Sequence, residues 1–236
     1  MNVLLILAFL FFVGSTVGWG MELVFRKYFS DANPEHKWIN PGFCTGPYLP
    51  IYGFGLCALY LLASMEQRFG LSKAVLFILM AVSMTVIEYI AGILCLKFSK
   101  LRLWDYSNEW GNVQGIICPK FSLFWAILGA VYYFLIHPFI LDALNWLSRN
   151  LAFSFFIGMF FGVFLVDYVH SAQLVAKIKA YAEDNHVVIR YEALKVQIRR
   201  THELNRQKYH FFRPLHSEIP LREHLKELMN QRKSNH

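Results

Sequence analysis

Five apolar stretches constrain this chain more than anything else in it: Asn2–Phe25, Tyr48–Met65, Lys73–Leu96, Phe121–Leu141 and Asn150–Tyr168. A helix needs about 20 apolar residues to cross a bilayer, and each stretch reaches or approaches that length. Inside lipid every backbone N–H and C=O must be satisfied within the protein, so an open sheet is excluded and the stretches are predicted helices. Charged residues make up 17% of the 236 positions, against about 25% in an ordinary soluble domain. They are also unevenly placed, dense only from Lys177 onward. The expected class is therefore all-α: a membrane bundle of about five transmembrane helices over residues 1–172, with long loops after the first and third spans, followed by a basic helical tail over 173–236.

The N-terminal run "MNVLLILAFLFFVGSTVGWG" lacks a basic n-region and a following A-x-A site. It reads as a retained first span rather than a cleaved signal. Lys and Arg then set the orientation. Before, between and after the spans they number none, three, two, four, one and thirteen. The richer segments alternate onto one side, so the N-terminus is expected outside and the C-terminus in the cytoplasm. Both long loops fall on the cytoplasmic side.

The first of these loops runs into the second span as "INPGFCTGPYLPIYGFG", with three prolines and four glycines in seventeen residues. Proline and glycine disfavour helix and strand interiors. Irregular backbone at membrane depth survives only when it is buried in protein or lines a wet cavity. The segment, with Asn40, Tyr48 and Tyr52, is thus predicted to be ordered and to turn toward the bundle. Its unpaired backbone groups are expected to meet Glu22, Glu88 or the second long loop. That loop, "RLWDYSNEWGNVQGIICP", carries Trp104, Asp105, Tyr106, Trp110 and Asn112. Individually these residues fit an interfacial aromatic belt and ordinary turns. Together they suit a polar pocket just under the headgroups.

Two carboxylates interrupt apolar runs. Glu88 lies in "MTVIEYIAGIL" with apolar residues on both sides, and Glu22 lies four residues before Arg26, an i,i+4 ion-pair spacing. An ionisable group at such depth marks either a functional position or a buried polar contact. Gly14 and Gly18 have the small-xxx-small spacing that admits a close helix. His137-Pro138 reads as a helix-ending pair, and Asp167 and His170 read as interfacial. Cys44, Cys57, Cys95 and Cys118 have no metal-site spacing.

In the tail, Leu174, Ile178 and Tyr181, then Val187, Tyr191 and Leu194, form apolar stripes at helical spacing, with Pro214 and Pro220 as breaks. Thirteen basic residues there face seven acidic ones. The tail therefore reads as a solvated helix whose basic face rests on anionic lipid. No nucleic-acid module is present and no nucleic acid is expected as a partner. No Walker-type G-x-x-x-x-G-K-[ST] occurs, and no cofactor is expected.

Three motifs in order, "WINPGFCTGPYLPIYGFG", "VIEYIAGILC" and "LRLWDYSNEWGNVQGIICPKFSLFW", resemble the bacterial membrane-protein family labelled putative ABC-transporter type IV, over roughly residues 10–135. The chain departs from that pattern at Pro119. Carried over position by position, the resemblance singles out Glu22, Asn40, Pro41, Gly42, Gly46, Pro47, Tyr48, Pro50, Tyr52, Gly53, Glu88, Gly92, Trp104, Asp105, Tyr106, Asn112, Gly115 and Trp125. It implies a multi-pass inner-membrane protein, transport-related, with membrane lipid around it and a separate ATPase or other membrane subunit as partner. Two other functions suit the residues themselves. One is an intramembrane enzyme on a lipid or lipid-linked substrate, with Glu88 or Asp105 as general base. The other is a non-catalytic scaffold or sensor working through its tail.

Overall fold

The computed structural model describes residues 2–30, 33–204, 210–213, 215 and 219–234. In chain order the helices are α1 (Val3–Phe29), α2 (Pro50–Phe69), α3 (Lys73–Ser99), α4 (Pro119–Val131), α5 (His137–Arg149), α6 (Ser154–Asp184), α7 (Tyr191–Leu204) and α8 (Leu221–Ser234). A π-helical turn, Tyr132–Ile136, joins α4 to α5. Two-residue strands β1 (Leu101–Arg102) and β2 (Ile189–Arg190) pair in parallel, Leu101 opposite Ile189. The fold is all-α; among the described residues this pairing and one isolated bridge, Val113 with Ile117, are the strand-like contacts. Among the described residues four helical stretches are long and apolar enough to cross a membrane: Val3–Phe29, Lys73–Ser99, Pro119–Arg149 and Leu151–Asp184. The second expected span appears as α2, whose apolar part, Pro50–Glu66, is shorter.

Local sequence explains the helix boundaries. Pro50 and Pro119 occupy the first turns of α2 and α4, where proline loses no hydrogen bond and its φ is already helical. Gly70 ends α2 in a left-handed conformation, φ 64°, and its N–H bonds Glu66 O, as C-terminal glycines do. The departure at Pro119 thus starts the helix cleanly. His137-Pro138 behaves differently from expectation: it does not end a helix. Proline cannot donate to the carbonyl four residues back and crowds it. The π turn just before it absorbs that defect, and the helix runs on to Arg149.

The chain forms two compact units, each with its own core. The first comprises residues 1–18, 49–93 and 105–166, the second residues 19–48, 94–104 and 167–236. In the first, Leu10, Leu59, Leu76, Met80, Leu144 and Leu147 pack together. Lipid is as apolar as leucine, so close fit rather than water exclusion holds such helices. Gly14 and Gly18 of α1 supply that fit: a Cβ on Gly14 would lie 2.9 Å from Tyr52 O, and one on Gly18 would lie 2.2 Å from the Cβ of Tyr52. The helix these glycines admit is α2 of the same chain.

In the second unit Leu101, Ile178, Ile189, Leu194, Ile198 and Leu225 are buried together, with Leu174, Tyr181 and Val187 packed against them. The expected tail stripes are all in this core. The tail is not simply solvated, however. Lys195, four residues after Tyr191, shares the buried face of α7 and is 1% exposed. Pro220 precedes α8; Pro214 lies outside the described residues.

Candidate functional site

In the first unit the site centres on Glu88. It is 3% exposed within the span Lys73–Ser99. Its carboxylate accepts a hydrogen bond from the Tyr106 hydroxyl at 3.0 Å and another from the Trp125 indole N–H at 2.9 Å. Tyr106 stacks on Phe121, centroids 4.2 Å apart and planes 10° apart, and Tyr52 leans on Trp125 at 5.8 Å. Of the candidates, Tyr106 bonds Glu88 directly, and Tyr52 leans on the tryptophan that bonds the other carboxylate oxygen.

The loop that delivers Tyr106 is ordered by its own polar residues. Asp105 Oδ1 accepts from Ser107 N at 3.1 Å and from Ser107 Oγ at 2.5 Å. Asn112 donates to Ser107 O and Glu109 O and accepts from Gly115 N at 3.0 Å. Gly111 and Gly115, both at φ 67°, take the left-handed positions that glycine occupies without strain. Tyr106 N is tied to Gly115 O at 2.9 Å. Asp105 and Asn112 are thus turn-formers that aim Tyr106.

Asn40, Tyr48, Glu22 and Trp104 belong to the second unit. There the Asn40 amide uses both its atoms. Oδ1 accepts from Trp19 Nε1 at 2.9 Å and from Gly42 N at 3.2 Å, and Nδ2 donates to Cys44 O and Thr45 O. The segment is expected from sequence to meet Glu22, Glu88 or the second loop; its backbone around Cys44 is held by two residues outside that expectation. Asp167 of α6 accepts from Thr45 N at 3.0 Å, from Gly46 N at 2.7 Å and from the Tyr48 hydroxyl. Lys195 of α7 donates to Asn40 O at 2.6 Å and Gly42 O at 2.8 Å. The physical reason is stoichiometric. The turn exposes both N–H and C=O groups, and satisfying both kinds takes an acceptor and a donor, which two acids do not supply. Asp167, read as interfacial, is the acceptor.

Glu22 pairs with Arg26 at 2.8 Å, as its spacing predicts. Arg26 also reaches Glu192 at 2.7 Å, and Glu192 accepts from Ser30 Oγ at 2.8 Å. Trp104 is half-buried at the end of the segment Leu94–Trp104.

Burial shapes the acid–base behaviour of the second unit. It pushes the Cys44 thiol up to about 12, with the Asp167 charge adding to the effect. Burial and the bond to Asp167 raise Tyr48. Lys195 is pushed down from 10.5 to about 7, chiefly by burial and then by the Arg26 charge, against the pull of Glu192. Between pH 7 and 10.5 the folded chain thus holds fewer protons at Lys195 than the unfolded chain, so this lysine's contribution to stability rises with pH. Wild type is expected to gain on the Lys195→Met chain between pH 7 and 9.5, by at most about tenfold in the folding equilibrium per pH unit. Thermal unfolding at both pH values checks this; a constant gap between the two chains contradicts it.

From sequence Asp167 reads only as interfacial and Lys195 as one more basic residue of the tail, although each leaves a trace. Asp167 follows a long uncharged run, as Glu88 does. Lys195 stands in the series 191, 194, 195, 198, the spacing of a buried helix face.

Long apolar helices with a carboxylate buried inside one of them define a multi-pass helical membrane protein. Within that class, the chain belongs to the family described as "Putative ABC-transporter type IV", which matches residues 9–172 and so extends past the three motifs into α6. No curated protein and no solved structure matches it.

Proposed function

We propose that this chain is the membrane subunit of a transport system. Its N-terminus faces outward, its tail lies in the cytoplasm, and its polar site is built on Glu88 at the cytoplasmic leaflet of the inner membrane. The observation that carries the reading is the Glu88 carboxylate, buried in a span and held by Tyr106 and Trp125. Placing an acid at the centre of a membrane helix costs about 2.5–3.5 kcal/mol on insertion scales. Two aromatic donors offset part of that and keep the charge where a cargo or a second subunit meets it. Tyr52, Tyr106 and Glu88 form the site, and Asp105 and Asn112 set the loop. Glu22, Asn40, Tyr48 and Trp104 order the backbone of the second unit. A separate ATPase or other membrane subunit supplies the energy, and membrane lipid surrounds the bundle. Asp105 accepts from Ser107 through Oδ1.

The test is recovery of the tagged full chain from its native membranes in mild detergent. A nucleotide-hydrolysing subunit is expected to come with it. Glu88→Gln removes the charge and leaves one acceptor oxygen where Tyr106 and Trp125 bond two. That oxygen serves the Trp125 N–H while the Tyr106 hydroxyl turns to accept from the new amide N–H, and the variant is expected to lower the complex's ATPase rate at least about tenfold, equivalent to about 1.4 kcal/mol. Its unfolding midpoint should stay within about 3 °C of wild type. Recovery of the chain with no such subunit overturns the reading, as does full ATPase activity in Glu88→Gln.

A further inference from the structure

A second polar cluster lies in the first unit, where α4 passes into α5. Residues five apart in an α-helix stand about 140° apart around the axis, on different faces. The π turn changes this between Tyr132 and His137. The His137 N–H bonds Tyr132 O, and the Tyr132 hydroxyl lies 2.8 Å from His137 Nδ1. Both side chains are buried, at 2% and 7% exposure, inside the apolar stretch Pro119–Arg149. Single π turns inside helices recur at functional positions, and ionisable side chains at such depth mark proton or ion paths by default.

The groups facing this histidine come from three helices. Tyr133, on the same turn, lies parallel to the imidazole, centroids 6.3 Å apart and planes 4° apart. From α2, the Tyr60 ring is 6.3 Å away, and Glu66 accepts from the Tyr133 hydroxyl at 2.7 Å. Cys57, also on α2 and near Tyr132, donates to Leu7 O. From α3, the Lys73 ammonium stands 5.9 Å from the Tyr133 ring.

We propose that this π turn builds a proton-binding site at His137, with the Tyr132 hydroxyl as its hydrogen-bond partner and Glu66 as its counter-charge. In the neutral state the Tyr132 hydroxyl donates to Nδ1, and the ring carries its proton on Nε2. On uptake a proton from water joins Nδ1. Both ring nitrogens are then donors, so the Tyr132 oxygen turns from donor to acceptor and its hydrogen swings away. The ring gains one positive charge, which the Glu66 carboxylate stabilises across the Tyr133 ring and the Lys73 ammonium opposes. Release returns the proton to water and restores the first arrangement. One imidazole, phenol hydroxyls and one carboxylate form a proton acceptor's set, whereas a zinc-type site takes several nitrogen or sulfur ligands. This site does not depend on the Glu88 reading, and its test needs neither a cargo nor an ATPase.

The test follows exchange of the histidine ring C–H for deuterium, residue by residue, by mass spectrometry. It uses the full chain in phosphatidylcholine nanodiscs from pH 5 to 9. His137 is expected to show a sigmoidal profile with its midpoint between about pH 5 and 8, the range in which histidine changes charge. Glu66→Gln is expected to lower that midpoint by at least about half a pH unit, a roughly threefold loss of proton affinity. If that variant does not reconstitute, Tyr133→Phe, which removes the hydrogen bond holding the carboxylate, reads the same shift. A flat His137 profile overturns the site. A midpoint that neither variant moves overturns the role of Glu66 and with it the proposal as stated.

Discussion

Replacing Asp167 with alanine is expected to open the segment around Cys44 by about 2–4 kcal/mol. One carboxylate there receives Thr45 N, Gly46 N and the Tyr48 hydroxyl. A hydrogen bond to a charged group contributes about 1.5–3 kcal/mol, and a donor stranded in a buried place costs about 1–3 kcal/mol. The figure sits below the sum because Asp167 is only partly buried and the freed N–H groups regain some water. Cys44 reports the change: its thiol is 2% exposed in the folded chain. Labelling by a neutral maleimide, mapped to Cys44 by mass spectrometry at fixed pH, should accelerate roughly 30- to 1,000-fold, since each 1.4 kcal/mol is tenfold. A rate within about threefold of wild type would show that the carboxylate does not hold the turn. Tyr48→Phe removes one of the three donors this segment gives Asp167, which also accepts from Ser171 Oγ at 3.2 Å, and should fall between.

The second large effect is at Gly18. A methyl group there would sit 2.2 Å from both Cβ and Cγ of Tyr52, atoms fixed close to their backbone. Gly18→Ala must therefore push α1 and α2 apart. Overpacking costs typically about 1–3 kcal/mol and occasionally more, and the upper end is expected because no flexible side-chain tip can yield. Gly20 supplies the control within the same helix, since a Cβ there meets nothing within 4 Å. Gly20→Ala should be neutral or slightly stabilising, because alanine is the better helix former. Adding Tyr52→Gly, which removes both clashing carbons, to Gly18→Ala should recover more stability than additivity allows, the mark of two residues in contact. Equal unfolding midpoints for the alanine variants at positions 18 and 20 would refute the close approach.

These two sites show what can be read before a structure and what cannot. The spans were legible because a run of apolar residues long enough to cross lipid has few alternatives. Pro50, Pro119 and Gly70 mark helix ends by local geometry alone. The Glu22–Arg26 pair and the Gly14–Gly18 notch follow from helical spacing. The partners of the proline-rich segment were not legible, because Asp167 and Lys195 reach it from far along the chain, 121 residues for Gly46 and 155 for Asn40. No pattern within a window of sequence encodes such a contact. Glu88 was legible as an anomaly, but its two donors lie 18 and 37 residues away on a loop and another helix. His137-Pro138 misled for a different reason. Proline usually ends a helix, and only the extra residue of the π turn, invisible in composition, lets this one continue.

The grip of Lys195 on Asn40 and Gly42 has a consequence for how the protein is made. At about 5–20 residues per second, the 155 positions separating Lys195 from Asn40 take roughly 8–30 s to synthesise. Throughout that interval the turn has been synthesised but Lys195 does not yet exist, so the turn's final ordering waits on the ribosome. A chain that stops before α7 leaves those carbonyls to whatever factor attends the growing polypeptide.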